Sequence, residues 1–198
     1  MFAVATVPGF PAWAGAGAAN GLCFVGSWFF TTAAWMQLIS TRQPGPRSRA
    51  SDAESASAAV QFAGTLLFNL STGAAVWAHA VSAQRRYVWA PDATGSIAFL
   101  LSGVLAMAAV AVTVGVFELR SRAWWAAAVN LIGCVAFGVS AVAAFVRVSG
   151  LTADERLAHL GTFIGALCFL AAAVVSLPRK PPVQRESPSA GTARTPRR

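Results

Sequence analysis

Apolar residues fill five long stretches of the chain, and charged residues fall almost entirely between them. Asp, Glu, Lys and Arg are absent from 1–41, 55–84, 93–117, 123–146 and 157–178. Each stretch is long enough to cross the roughly 30 Å hydrocarbon core of a bilayer as an α-helix. The pattern predicts an all-α, polytopic integral membrane protein with five transmembrane helices.

Proline, serine and arginine set the predicted limits of these helices. Pro8 and Pro11 disfavour a helix interior, so residues 1–12 are expected to form an extracytoplasmic N-terminal segment. Residues 42–55 are rich in Pro, Ser and Arg and predict an exposed loop. The first helix pair, 13–83, then holds transmembrane helices at about 14–40 and 57–83.

The second half of the chain is divided in the same way. Arg85-Arg86 is expected to stop the second helix, and Pro91-Asp92 to open the third. Thr152 and Glu155 have the spacing of a capping box, which predicts the start of the fifth helix. The second predicted helix pair is 84–147, with helices at about 92–117 and 123–146. The last predicted unit is 148–178, with a fifth helix at about 156–177.

Composition agrees with this architecture. Of the 198 residues, 56% are apolar and 11% are charged, against about 25% charged in soluble domains. This excludes an ordinary soluble enzyme, a disulfide scaffold and a disordered chain. The abundant alanine and arginine favour a bacterial source with a GC-rich genome, and the expected location is the cell membrane of a bacterium.

The net charge of +8 predicts orientation rather than a nucleic-acid partner, because the basic residues lie in the connections and the tail. The first and third connections and the tail hold three, two and six of them, and the other two connections hold two each. By the positive-inside rule the C-terminus is cytoplasmic and the N-terminus lies outside. Residues 179–198 predict a disordered basic tail, which either anchors the topology, the favoured interpretation, or binds anionic headgroups.

A Gly-x-x-x-Phe motif recurs in every apolar stretch and indicates an internal repeat. Alternating spacings of 38, 31, 38 and 32 residues favour a duplicated helix pair, with the fifth helix starting a third copy. Small residues let helices approach closely in lipid, so the motif predicts a helix-packing seam; a ligand-lined path is the alternative. The motif residues are Gly26 and Phe30, Gly64 and Phe68, Gly95 and Phe99, Gly133 and Phe137, and Gly165 and Phe169.

The helix-pair unit resembles the YrhK-type domain of bacterial membrane proteins. The resemblance rests on Asn20, Phe24, Gly26-Ser27 and Phe30 in the first helix and would cover residues 15–177 as tandem copies. It implies a small two-helix membrane module without an established activity. No functional residue is implied by it.

Side-chain amides are the main polar groups predicted at membrane depth: Asn20, Gln61, Asn69 and Asn130. The favoured interpretation is structural, through hydrogen bonds between helices. The alternative is a weakly polar path for a small solute. No proline is expected to interrupt a helix interior, and no charged residue is expected at a helix centre, which disfavours ion-coupled transport.

Catalytic and metal-binding patterns are missing from the sequence, so we expect no enzyme activity and no cofactor. Cys23, Cys134 and Cys168 lie in apolar stretches and are expected to pack as small hydrophobic residues. His79 and His159 could approach one interface and bind a metal or haem, but interfacial histidines are the favoured interpretation. The predicted function is a non-enzymatic membrane scaffold or interaction protein, homo-oligomeric or bound to a membrane partner; the alternative is a small-solute transporter or channel.

Overall fold

The computed structural model describes residues 1–7, 9–42 and 48–177, and the tail 179–198 lies outside them. Five helices of 22 to 26 residues dominate the fold. The elements are α1 (Phe2–Ala5), α2 (Phe10–Ala14), α3 (Ala16–Ser40), α4 (Arg49–Ala74), α5 (Val81–Ala83), a π-helical segment (Gln84–Trp89), α6 (Ala90–Val114), α7 (Arg122–Ala143) and α8 (Glu155–Ser176).

Four helical segments are long and apolar enough to cross a membrane: Ala16–Ser40, Val81–Val114, Arg122–Ala143 and Glu155–Ser176. The chain is therefore an all-helical protein with the helices of a membrane protein. The remaining long helix, α4, falls outside this group because polar residues such as Gln61 and Asn69 interrupt its apolar sequence.

The long helices pack side by side in chain order. α4 packs against α6, and α7 against α8, along much of their length, while α3–α4 and α6–α7 contacts join these pairs. Helix α1 contacts both α3 and α8 and lies between the first and last helices of the bundle. We call the end that holds the first turns of α3 and α8 the upper end, and the opposite end the lower end.

The N-terminal segment packs against the long helices. Phe2 packs against the buried aromatic core, and its ring lies 5.3 Å from that of Phe68. Pro11 lies in the first two positions of α2, where the missing N–H of proline costs no helical hydrogen bond. Pro11 is therefore compatible with a short helix at this place.

Helix α4 begins and ends earlier than the sequence predicted. It starts at Arg49, within the expected loop, because Ser48 accepts a hydrogen bond from the Ser51 N–H and forms a capping box. It ends at Ala74 instead of continuing to residue 83. The last turns contain Ser71, Thr72 and Gly73, which have low helix propensity.

Arg85 and Arg86 do not stop a helix; they belong to the segment that leads into α6. Helical structure runs from Val81 to Val114 without a break, and Gln84–Trp89 is π-helical. In a regular α-helix the ring of Pro91 would collide with the carbonyl of Tyr87. A π-helical turn changes the hydrogen-bond register just before the proline and lets the helix continue.

The cap of α8 also differs from the prediction. Asp154, rather than Thr152, is the N-cap residue, and its Oδ1 accepts a hydrogen bond from the Leu157 N–H at 3.0 Å. Thr152 instead forms a β-bridge with Val146. The α7–α8 connection is thus a hydrogen-bonded turn that ends just before α8 begins.

Candidate functional site

The phenylalanines of the repeated motif meet in one cluster at the centre of the bundle. Phe99 is fully buried, and its ring centroid lies between 5.5 and 6.2 Å from four other members. The rings of Phe137 and Phe169 stack at 5.3 Å. The phenylalanine cluster consists of Phe2, Phe30, Phe68, Phe99, Phe137 and Phe169.

The motif glycines of α4 and α6 provide the space for this packing. A Cβ atom at Gly64 would lie 2.7 Å from the Phe99 ring. A Cβ atom at Gly95 would lie 3.1 Å from the Gly64 carbonyl oxygen. A side chain at Gly64 would therefore collide with the Phe99 ring, and one at Gly95 would press on the α4 backbone.

The motif glycines of α7 and α8 repeat these contacts. A Cβ atom at Gly133 would lie 3.0 Å from the Phe169 ring, and one at Gly165 would lie 3.1 Å from the Gly133 carbonyl oxygen. Gly26 of α3 instead meets Met1 and Phe2 of α1. The closest glycine–phenylalanine pairs thus join α4 with α6 and α7 with α8, whereas the sequence had grouped the helices as 13–83 and 84–147.

Polar residues flank the phenylalanine cluster on both sides. On each of α4, α6, α7 and α8 a polar residue precedes the motif glycine by three positions. Because α4 and α7 run opposite to α6 and α8, Gln61 and Asn130 belong to the lower half of the bundle. Asp92 and Thr162 belong to the upper half.

The four predicted intramembrane amides have different surroundings and do not form a common site. Asn20 donates from Nδ2 to the Ala75 carbonyl oxygen at 3.0 Å and ties α3 to the end of α4. Among the described residues, the Asn130 side chain hydrogen-bonds only to the Cys134 sulfur of its own helix, at 3.9 Å. Gln61 Oε1 and Asn69 Oδ1 are buried without a hydrogen-bond partner in the described part of the chain.

Hydroxyl groups provide most of the polar contacts between helices in the described part of the chain. Ser57 of α4 donates to the Ser102 carbonyl oxygen, and Ser102 of α6 donates to the Ser57 carbonyl oxygen, at 2.9 and 3.0 Å. Ser140 of α7 lies 2.8 Å from the Thr162 hydroxyl of α8. Nothing distinguishes these hydroxyls in the sequence from those that bond only to their own helix.

Asp92 follows the π-helical segment directly in the chain. It occupies the first turn of α6, within the continuous helix Val81–Val114. Pro91 and Asp92 thus lie at the start of α6, as predicted, but a π-helical segment leads into them without a break in helical structure.

The histidines and cysteines do not assemble into a metal site. His159 lines a small cavity of about 260 Å³ with residues of α2 and the first turn of α8, whereas His79 is exposed in the α4–α5 connection. Across 1–7, 9–42 and 48–177, no group of three metal-ligating side chains occurs. All three cysteines are free, and Cys134 is fully buried.

The fold and the site define a membrane-type helical bundle whose centre is filled by aromatic rings. Comparison with protein-family models, curated proteins and solved structures gives no match. The resemblance to the YrhK-type domain stays a prediction.

Proposed function

We propose that this chain is a non-enzymatic membrane protein that acts through contacts with other membrane proteins, including copies of itself. The observation that carries the proposal is a contrast between two small-residue pairs. On α8, Gly161 and Gly165 are covered by α7. On α3, Gly17 and Gly21 have the same spacing, but a Cβ atom at either would meet no atom within 4 Å. This open pair offers a close-packing surface for another helix.

The proposal predicts that a bulky side chain at Gly21 weakens self-association. In vesicles carrying the purified protein, energy transfer between labelled copies should show a dimer. We expect Gly21→Leu to raise the dimer dissociation constant about tenfold, equivalent to about 1.4 kcal/mol, because the backbones can no longer approach.

Ala33→Leu provides the matched control, since Ala33 is exposed on another side of α3. This variant should associate as the wild type does. A monomeric wild type, or equal loss in both variants, would contradict self-association through α3.

A small-solute transporter or channel is the second candidate, and the unpartnered oxygens of Gln61 and Asn69 favour it. A buried acceptor without a donor is costly unless a ligand or water supplies one. The same vesicles distinguish the two functions. Glycerol entry that requires the protein and is lost in Gln61→Met would support a path through the bundle and count against the scaffold function.

We also propose that α4 is a fifth membrane crossing and that the chain lies in a bacterial plasma membrane. Support comes from the packing of α4 between α3 and α6, both of which are apolar enough to span. A helix that faces protein needs less apolar surface than one that faces lipid. Five crossings and the basic residues of the connections then favour an outside N-terminus and a cytoplasmic C-terminus.

Reporter fusions test this topology. A reporter that is active only in the cytoplasm should work when fused after Leu177 and fail when inserted at Gly150, because the two positions lie at opposite ends of α8. Activity at both positions, or at Gly150 alone, would overturn the proposed crossing number or orientation.

The contacts of the motif glycines support descent of α4–α6 and α7–α8 from one duplicated helix pair. A Cβ atom at Gly95 would lie as far from the Gly64 carbonyl oxygen as one at Gly165 would lie from the Gly133 carbonyl oxygen, 3.1 Å in each case. Under this proposal α3 is the additional helix, and α8 completes the second pair instead of starting a third.

A further inference from the structure

A groove with apolar walls runs between α6 and α7 at the upper end of the bundle. Its volume is about 620 Å³, and it extends along α6 from Trp89 to Leu100. Val135 and Val142 belong to the opposite wall on α7, and Leu157 of α8 closes one side. The walls are almost entirely hydrocarbon, so the groove suits a hydrocarbon chain.

The length of the groove favours an acyl chain over a transmembrane helix. Trp89 and Leu100 are eleven residues apart on a helix, which corresponds to about 16 Å at 1.5 Å per residue. This is about half of the roughly 30 Å hydrocarbon core. A partner helix would need a surface along the full thickness, whereas the acyl chain of one lipid occupies one leaflet.

Two arginines, Arg85 and Arg147, lie close to residues that line the groove. The Arg85 guanidinium lies 5.1 Å from the ring centre of Phe145, and the Trp89 ring packs on the same Phe145 at 4.9 Å. Arg147 Nη2 donates to the carbonyl oxygen of Ala153, a residue that lines the groove, at 3.4 Å.

Both arginines are held by the local backbone. Arg85 belongs to the π-helical segment, and Arg147 to the hydrogen-bonded α7–α8 connection, where its N–H donates to the Leu151 carbonyl oxygen. Asp154 also lines the groove, but its carboxylate caps α8. Arg85 and Arg147 therefore supply two cationic groups next to the groove.

We propose that this groove is a binding site for an anionic phospholipid, with one acyl chain between α6 and α7 and the phosphate near Arg85 and Arg147. Guanidinium groups pair well with phosphate oxygens. The site is separate from the open glycine pair on α3, and Leu100 connects it with the phenylalanine cluster. It gives the π-helical segment a role in placing Arg85 beside the groove.

Native mass spectrometry of the full chain, purified without lipid and titrated with phosphatidylglycerol or phosphatidylcholine, tests this site. We expect one molecule of phosphatidylglycerol to bind more tightly than phosphatidylcholine. Arg85→Gln and Arg147→Gln should each weaken phosphatidylglycerol binding about fivefold, the effect of one basic residue near a membrane surface. Ala93→Phe should fill the groove and weaken both lipids alike.

Matched controls separate a built site from general attraction. Arg86 lies beside Arg85 but packs over Tyr87, so Arg86→Gln should leave binding unchanged. Val112→Phe, on an exposed part of α6, controls for added bulk. If Ala93→Phe does not fold, Val139→Phe fills the groove from the other wall.

Three results would overturn the proposal. Equal weakening by Arg86→Gln would mean that the lipid responds only to total charge. Unchanged binding in both groove-filling variants would place the lipid elsewhere. Loss of a dimer in those variants, with lipid binding retained, would assign the groove to a second copy of the chain.

Discussion

Replacing Phe99 with alanine should lower the free energy of unfolding by about 3 kcal/mol. Phe99 is fully buried and touches rings from α3, α4, α7 and α8. Its loss leaves a cavity that the surrounding helices can fill only in part. Buried Phe→Ala changes cost about 3–5 kcal/mol in water-soluble proteins. We expect the lower end here, since the unfolded helices remain in lipid and the loss is mainly one of packing.

The measurement is reversible unfolding in mixed detergent micelles, followed by circular dichroism. Phe117→Ala is the matched control, because Phe117 is 83% exposed near the α6–α7 connection, and its change should stay within about 0.5 kcal/mol. Phe99→Leu should recover most of the stability. Similar losses in Phe99→Ala and Phe117→Ala would show that the cluster does not hold the bundle together.

The all-helical fold was predictable because each long helix corresponds to a long, continuous apolar stretch of the sequence. Helices α3, α7 and α8 begin and end within a few residues of their predicted limits, since charged and turn-forming residues interrupt the apolar pattern there. Helix α4 was less predictable, because its capping residues lie in a segment that resembles a loop in composition. Its end at Ala74 carries no proline or charge.

The candidate site was predictable only where a residue type repeats. Gly-x-x-x-Phe recurs five times, and the phenylalanines meet as neighbours. Phe2 was not predicted as part of the cluster because it lies outside the repeat. Its position in the cluster follows from the path of α1. Arg85 was interpreted as a helix stop because the sequence does not show that a π-helical turn can accommodate Pro91.

The spacing of the motif glycines along the chain does not determine which helices form a pair. Alternating spacings of 38 and 31 residues are compatible with either grouping of consecutive helices. The structure distinguishes the two groupings by how closely the helix backbones approach each other. A Cβ atom at Gly95, for example, would lie 3.1 Å from the Gly64 carbonyl oxygen. Such distances depend on side-chain volumes on both helices, so no single helix predicts them.

The α7–α8 contact yields the second large expected effect: Gly161→Ala should destabilise the protein by about 2 kcal/mol. A Cβ atom at Gly161 would lie 2.8 Å from the Ala136 carbonyl oxygen and 2.8 Å from Ser140 Cβ. Backbone atoms cannot rotate away, so α8 must shift. The shift would also stretch the hydrogen bond from Ser140 Oγ to the Ala158 carbonyl oxygen, 2.7 Å long.

The expected loss of stability in Gly161→Ala is the sum of a favourable helix-propensity contribution and unfavourable packing and hydrogen-bond contributions. Alanine gains about 1 kcal/mol over glycine in helix propensity. Overpacking a tight contact costs about 1–3 kcal/mol and sometimes more, and weakened hydrogen bonds between membrane helices add about 0.6 kcal/mol each. Because the obstacle is backbone, we place the packing cost at the upper end of its range.

Gly21→Ala is the matched control, measured under monomeric conditions by the same unfolding experiment. Gly21 is also a helical glycine in a small-residue pair, but an alanine Cβ there meets no atom within 4 Å. This variant should be as stable as the wild type or slightly more stable, because only the propensity gain remains. If Gly161→Ala were stabilising to the same degree, α7 and α8 would not pack at the distance described. The close backbone approach would then lose its role in holding the upper half of the bundle together.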